Sequence, residues 1–156
     1  MIEPNTLQKY ALFGGLLEDQ IENLIPLMVH EEFGPDITII TEGEPNDKVY
    51  FILDGQVSIN RNEKELSKFR EGDTFGEMEV IDVMPAIASV KTITPVTVIS
   101  MSNKALRAVY NIDVRTFSLI IMNLARDLSR RLRKMDETIT SPSILNKFWS
   151  KNDLQP

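Results

Sequence analysis

The 156-residue chain contains no cysteine and a single histidine, His30. The lack of cysteine excludes disulfides, iron–sulfur clusters, thiolate zinc sites and cysteine nucleophiles. His30 is followed by Glu31 and Glu32, and a lone histidine in such a setting is far more often a surface side chain than a metal ligand. We therefore expect no metal site in this protein.

Positive charge and long apolar runs are also scarce. The chain has 17 Lys and Arg against 23 Asp and Glu, a formal net charge of −6, which is the opposite of a nucleic-acid-binding footprint. The N-terminus lacks the basic region and apolar core of a signal peptide, and no apolar run approaches membrane-spanning length. We therefore expect a soluble, cytoplasmic protein that does not bind membranes and does not bind DNA nonspecifically.

What the chain does have is a hydrophobic content of 42%, which suits one domain with a real core. Between Glu18 and Val29 the apolar residues follow helical spacing, although Pro26 would kink or interrupt that helix. An N-terminal helical region is therefore predicted.

After Gly34 the pattern changes to short runs of β-branched and aromatic residues separated by turn residues, which predicts strands. The predicted strands are 37–41, 48–53, 56–60, 65–70, 88–94 and 96–101. Asp54-Gly55, between two apolar runs, predicts a hairpin. Short strands at regular spacing indicate a barrel or a double-sheet jelly roll.

Two capped helices are predicted after the strands. Ser102 can cap a short helix through Tyr110, and Asp113 can cap a longer one toward Met135. In the longer helix a heptad-like apolar seam, interrupted by Arg131, consists of Phe117, Ile121, Leu124, Leu128 and Met135. We expect this seam to form a homodimer interface through Phe117, Ile121, Leu124 and Leu128, with packing onto its own barrel as the alternative.

The most distinctive segment runs from Gly72 to Met78 (Gly-Asp-Thr-Phe-Gly-Glu-Met) and continues as Pro-Ala-Ile-Ala-Ser at 85–89. Gly76 lets the backbone approach a ligand closely, and the amides that open a short helical turn can point at an anion. The segment resembles the phosphate-binding cassette of cyclic nucleotide-binding domains, whose usual pattern is Phe-Gly-Glu, a few apolar residues, then Pro-Arg-x-Ala-Thr/Ser. Ala86 stands where this family has arginine.

A second match lies at 41–57, which contains the family's Glu-Gly-Asp/Glu, its Tyr-Phe-Ile and its Gly before Glu/Gln-Val. Together the resemblance runs from about residue 16 to residue 137. It implies a mainly β fold with flanking helices, namely the cyclic nucleotide-binding β-roll, a jelly-roll-like barrel with N-terminal helices and a long C-terminal helix. In relatives of the catabolite activator type, that helix forms the dimer interface and covers the pocket.

The resemblance also implies a domain organisation. We expect one cyclic nucleotide-binding-like domain at 1–140, with the β-roll at 35–101 and terminal helices at 102–140, followed by a short tail at 141–156. In the tail, apolar residues cluster on a possible short helix that would dock onto the domain or a dimer mate; they are Ile144, Leu145, Phe148 and Trp149.

By the same resemblance, a ligand pocket would surround the cassette. Its residues would be Phe75, Gly76, Glu77, Met78, Ala86, Ile87 and Ser89, with Leu66 and Ser67 beside the base or phosphate, and Arg131 and Met135 from the long helix. Glu77 would accept a hydrogen bond from a ribose hydroxyl, and Ser89 would donate to a phosphate oxygen. Ordinary structural roles remain open. Glu77 also suits a helix N-terminus, and positions in the predicted strands 65–70 and 88–94 explain Leu66, Ser67 and Ser89 equally well.

The missing arginine bears directly on the ligand. In the family it grips the phosphate and offsets the buried glutamate, and losing one partner of such a pair costs on the order of 2–5 kcal/mol. Glu79 adds negative charge where relatives have a small apolar residue. We therefore expect cyclic AMP and cyclic GMP to bind weakly or not at all, unless Lys91, Arg70 or Arg131 supplies the missing charge, and another small ligand remains open.

No catalytic constellation is visible, since the chain lacks a nucleophile–histidine pairing, metal-ligand spacing and a Gly-rich triphosphate loop. The leading hypothesis is a noncatalytic regulatory or sensor module in signal transduction, with an unidentified protein partner. The alternatives are a purely structural dimerisation or interaction domain, and the sensor part of a truncated transcription regulator. About twenty residues follow Glu137, too few for a helix-turn-helix domain, so we expect no DNA binding.

Overall fold

The computed structural model describes residues 3–140; the predicted tail helix lies outside this range. The chain begins with helix α1 (Pro4–Gln8), a 3₁₀ turn (Ala11–Phe13), helix α2 (Glu18–Leu24) and a second 3₁₀ turn (Ile25–Leu27). The helical pattern is interrupted near Pro26, as expected: α2 ends at Leu24, because Pro26 has no backbone N–H and its ring clashes with the preceding turn of an α-helix. Val29 instead begins the first strand.

Within the described residues, eight strands form two antiparallel four-stranded sheets. The strands are β1 (Val29–Phe33), β2 (Thr38–Ile40), β3 (Lys48–Asp54), β4 (Gln56–Arg61), β5 (Lys64–Arg70), β6 (Thr74–Phe75), β7 (Ser89–Thr92) and β8 (Val96–Ser102). Their orders are β1-β8-β3-β6 in one sheet and β2-β7-β4-β5 in the other. This arrangement confirms the predicted β-roll.

The Asp54-Gly55 turn joins the two sheets, since β3 and β4 belong to different ones. It is therefore not the hairpin that the sequence predicted. Gly55 has φ +90°, and a Cβ there would lie 2.2 Å from the carbonyl oxygen of Pro95, so only glycine fits this corner. The hairpin lies between β4 and β5, where Asn62 and Glu63 both have positive φ, as a two-residue type I′ turn requires.

The structure has two apolar cores, and β3 contributes to both. Alternate residues of this strand point to opposite faces: Tyr50 and Ile52 belong to the core between the sheets, whereas Val49 and Phe51 belong to the core under the helices. The core between the sheets also contains Ile40, Val57, Phe75, Ala86, Val90, Val96 and Val98.

The terminal helices begin where the sequence predicts. Helix α4 (Asn103–Ile112), the next after the short helix α3 (Glu77–Asp82), is capped by Ser102, whose hydroxyl accepts the Ala105 N–H at 3.1 Å. Helix α5 (Val114–Ile139) is capped by Asp113, whose Oδ1 accepts the Arg115 N–H at 2.9 Å. These bonds satisfy amides that have no partner inside their own helices. No described helix is both long and apolar enough to cross a membrane.

The predicted dimer seam on α5 needs correction. Leu124 is only 1% exposed and lies in the core under the helices, while Phe117 and Ile121 are partly buried against that core. The Asn123 side chain fixes this docking by donating to the carbonyl oxygens of Leu12 and Gly14, each at 2.9 Å. The first half of the seam therefore packs onto its own domain, the alternative noted above.

Candidate functional site

The cassette turn is built around Gly76, which joins β6 to helix α3 (Glu77–Asp82). Gly76 has φ +78°, and a Cβ there would lie 2.5 Å from the Lys48 carbonyl oxygen and 2.8 Å from the Asn46 Nδ2. The Asn46 amide donates to the carbonyl oxygens of Lys48 and Gly76, at 2.8 and 3.2 Å. This tie to β3 sets the direction in which Glu77 leaves the turn.

Glu77 is a buried carboxylate, 3% exposed. Its Oε1 accepts a hydrogen bond from the Arg131 Nη1 at 2.9 Å, whereas its Oε2 is buried and has no hydrogen-bond partner among the described residues. Burial raises the pKa of the Glu77 carboxyl; Arg131 acts in the opposite direction, and the nearby charges of Asp127 and Glu79 raise it further. Two further acidic side chains, Asp127 and Glu79, therefore lie close enough to act on Glu77.

Arg131 reaches this site from α5 and is held by four groups, which we call the guanidinium cradle: Phe69, Thr74, Glu77 and Asp127. Its Nη2 donates to the Thr74 carbonyl oxygen at 2.6 Å and to the Thr74 hydroxyl at 3.0 Å, and forms an ion pair with Asp127. The guanidinium carbon lies 4.5 Å from the centroid of the Phe69 ring. The cradle thus joins the terminal helix to the cassette and to β5.

Ala86 contributes no charge and is itself part of a core. It is 3% exposed and packs in the apolar cluster between the sheets. Its N–H donates to the Glu44 carbonyl oxygen at 2.9 Å, and its carbonyl oxygen accepts the Gly43 N–H at 2.7 Å. The segment that carries the family's phosphate-binding arginine is here fixed against the loop before β3.

The three cations considered as replacements are in different places. Arg131 contacts Glu77, Lys91 lies 3.1 Å from the Asp36 carboxylate, and Arg70 ends the exposed strand β5. The Ser89 hydroxyl accepts the Glu42 N–H at 2.9 Å, so it helps to hold β7 against the loop after β2. Among these three cations, Arg131 is the one whose ion pairs include a cassette residue, Glu77.

The remaining predicted residues differ in their exposure. Phe75 is buried and stacks on Tyr50, with ring centroids 4.8 Å apart. Exposed positions are occupied by Leu66, Ser67, Met78, Ile87 and Met135. Within residues 3–140 no group of three or more acidic or histidine side chains is placed to hold a metal ion.

Three cradle residues were not predicted from the sequence: Phe69, Thr74 and Asp127. They lie on β5, β6 and α5, so their proximity depends on the tertiary fold. One signal was available, because Asp127 precedes Arg131 by four residues, the spacing at which opposite charges meet on a helix.

Comparison with known proteins agrees with this architecture. The family model for the cyclic nucleotide-binding domain matches residues 30–113, more than half of the chain. A CRP-like cAMP-activated global transcriptional regulator of Mycobacterium tuberculosis is 32% identical over 138 residues, an alignment that covers 85% of this chain and 60% of the regulator. The chain thus spans about 60% of the length of that relative.

Solved structures show the same fold. A cyclic nucleotide-binding domain from Methylobacillus flagellatus KT superimposes with a TM-score of 0.79 and 26% identity, over 88% of this chain and 80% of the other. The catabolite activator protein of Thermus thermophilus gives a TM-score of 0.72 and 24% identity, over 83% and 61% of the two chains. The matched family model and this fold lead to one conclusion: the chain belongs to the cyclic nucleotide-binding domain family.

Proposed function

We propose that this chain is a noncatalytic regulatory or sensor module in which cyclic nucleotide binding is weak or absent. The observation that supports this most directly is the pairing of Glu77 with Arg131 of α5, with Ala86 at the arginine position of the cassette. A cyclic nucleotide would have to enter a site whose carboxylate already has a cationic partner from its own chain.

The site fits the ribose of a cyclic nucleotide better than it fits the phosphate. The unpaired Oε2 of Glu77 can accept a hydrogen bond from a ribose hydroxyl, and the Gly76 turn leaves no Cβ in the way. On the phosphate side, Ala86 supplies no charge, and Glu79 and Asp127 raise the pKa of Glu77, as negative charges do. A phosphate anion therefore meets repulsion where the family's arginine provides attraction.

Titration calorimetry with cyclic AMP and cyclic GMP tests this function. Cyclic AMP is an apt first ligand, since the Mycobacterium tuberculosis relative is described as cAMP-activated. We expect weak or undetectable binding to the wild type. The combined variant Ala86→Arg with Arg131→Ala restores the cassette charge and frees Glu77, so it should bind cyclic AMP at least about tenfold more tightly.

Met84→Arg with Arg131→Ala is the matched control, because it adds the same charge at an exposed position near the cassette that is outside the predicted pocket, and it should not strengthen binding. Circular dichroism of each variant shows whether it folds, since Ala86 lies among apolar side chains. Tight binding of either nucleotide by the wild type would refute the proposal and would show that another cation, with Arg131 the first candidate, replaces the cassette arginine.

We also propose that the chain forms a homodimer through the second half of α5. Beyond the docked half of the helix, large apolar residues recur at spacings of four, three and four: Leu128, Leu132, Met135 and Ile139. Leu128 is partly buried, and the other three are about 60% exposed. A stripe with this heptad-like period can pack against its counterpart in a second copy, and it replaces the seam predicted through Leu124.

A further inference from the structure

The surroundings of Arg131 have the polarity of a cation site. Two carboxylates, a carbonyl oxygen and a hydroxyl accept its N–H groups or lie against its charge, and an aromatic ring faces its plane. A guanidinium group combines a delocalised charge with a planar fork of donors, and it stacks on aromatic faces. The cradle therefore matches this chemical group at both terminal nitrogens, with an aromatic ring against its plane.

The charge balance points the same way. The carboxylates of Asp127 and Glu79 both act electrostatically on Glu77, and the guanidinium of Arg131 is the cation that acts on it. Arg130 lies 3.8 Å from Asp127 but is largely exposed, so solvent screens its charge. An anion is therefore disfavoured here, whereas a cation with N–H donors is favoured.

One acceptor of the cradle is left over. Arg131 meets Glu77 through Oε1 alone, and Oε2 stays buried without a partner among the described residues. Arginine and carboxylate commonly pair through two parallel hydrogen bonds, which use both oxygens. A guanidinium group that is not tethered to α5 can adopt this two-point geometry and satisfy Oε2 as well.

We propose that the cradle formed by Phe69, Thr74, Glu77 and Asp127 is a recognition site for a guanidinium group, and that Arg131 of the same chain occupies it in the conformation described here. The class of external ligand that it takes is a small guanidine or an arginine side chain. The inference deepens the proposed function, on which it rests, because both concern the same site.

Chemical complementation tests this inference. Arg131→Ala removes the internal occupant, and ethylguanidinium supplies the missing group. We expect ethylguanidinium chloride to bind this variant with a dissociation constant in the millimolar range, measured by calorimetry at constant ionic strength, and to raise its unfolding temperature. Ethylammonium, a cation without the planar fork, and ethylurea, a planar molecule without charge, should each bind at least about tenfold more weakly.

Two further proteins serve as controls. Wild-type protein should bind ethylguanidinium no better than it binds ethylammonium, since the tethered Arg131 competes at high effective concentration. Arg133→Ala removes an exposed arginine from the same helix and should behave like the wild type. Equal binding of the three probes to Arg131→Ala, or equal binding of ethylguanidinium to the two arginine variants, would overturn the inference.

If Arg131→Ala does not fold, Glu77→Gln provides a second measurement, because it keeps the side-chain shape and removes one charge of the cradle. Amide exchange at residues 128–135 should accelerate severalfold as Arg131 is released, and unchanged exchange would overturn the inference. The cyclic AMP titration remains separate: tight wild-type binding refutes the proposed function, whereas failure of ethylguanidinium alone refutes only the guanidinium site.

Discussion

At the scale of the residue, Gly76 has two independent reasons to be glycine. Its φ of +78° lies in the left-handed region, and its missing Cβ leaves room for the carbonyl oxygen of Lys48. Gly43 has a similar φ of +83°, but nothing lies within 4 Å of a Cβ built there. Comparing substitutions at Gly76 and Gly43 therefore separates the cost of backbone strain from the cost of a steric clash.

We expect Gly76→Ala to lower the free energy of unfolding by about 1–3 kcal/mol more than Gly43→Ala does, because both variants have the unfavourable φ and only the first adds a clash. Urea unfolding of the two variants measures the difference. Equal losses would show that the loop before β3 moves away from the added methyl group at no cost.

Glu77 shows that a sequence pattern can identify a site residue without showing which side chains surround it. The cassette pattern identified Glu77 as the chemically important side chain, and its burial agrees with that importance. The same pattern does not show where its counter-charge comes from, because Arg131 is 54 positions away along the chain. Sequence spacing can suggest Arg131 only as an interruption of an apolar stripe.

At the scale of the element, Asp113 connects two helices. Its Oδ2 accepts hydrogen bonds from the Thr116 hydroxyl at 2.5 Å and from the Gln20 side chain of α2 at 3.0 Å, in addition to the cap on Arg115. These bonds, with that from Thr116 the largest cause, lower the pKa of the Asp113 carboxyl from 3.8 to about 2. The ionised cap is therefore favoured in the folded state.

The sign of the pH effect follows from this lowered pKa. The stabilisation is present above the unfolded-state pKa of 3.8 and is lost as the pH falls toward about 2. Asp113→Ala should therefore lower the unfolding temperature at pH 7, with a gap to the wild type that narrows through this window. Ser102→Ala, which removes an uncharged cap from α4, should give a gap that does not change there.

Thermal unfolding at several pH values measures this difference in unfolding temperature. A difference between Asp113→Ala and the wild type that stays constant down to pH 2 would contradict the role of ionisation. It would leave hydrogen bonding by the neutral acid as the explanation of the cap.

Strand prediction succeeded where the local pattern is strong and failed where tertiary contacts decide. The runs of β3, β4, β5 and β8 are rich in β-branched or alternating residues, and all four strands lie close to their predicted bounds. By contrast, β1 contains His30, Glu31 and Glu32 after a helical period, and β6 has only two residues. Both become strands because neighbouring strands pair with them.

The same distinction explains the Asp54-Gly55 turn. An Asp-Gly pair between apolar runs has the local chemistry of a hairpin, but at this point the chain crosses from one sheet to the other. The packing of Gly55 against Pro95 sets the corner, and no local pattern contains that contact. The unpredicted cradle residues have the same origin, since three elements bring them together.

At the scale of the whole molecule, α5 has two halves with different surroundings. The first half is docked through Ile120 and Leu124, and the second presents Leu132, Met135 and Ile139. Arg131 lies at the boundary, where the helix contacts the cassette. A change in the cradle is therefore placed to alter how the second half is presented in the homodimer that we propose.

We expect sedimentation of the wild type at micromolar concentration to show a dimer. The Leu132→Asp substitution should raise the dissociation constant of the dimer by at least about tenfold, because it places a carboxylate in the apolar interface. Ile112→Asp is the matched control, since Ile112 on α4 is exposed to the same extent, 61% against 60% for Leu132, and lies off the stripe. A monomeric wild type, or equal effects of both variants, would contradict the dimer.

Strand β3 contributes to both apolar cores, and this links the unfolding of one core to that of the other. Its odd-numbered residues Val49 and Phe51 support the helices, and its even-numbered Tyr50 and Ile52 support the opposite sheet. Melting of either core would leave one face of this strand without its contacts and would weaken the other core with it. We therefore expect the helices and the β-roll of residues 3–140 to unfold together as one cooperative unit.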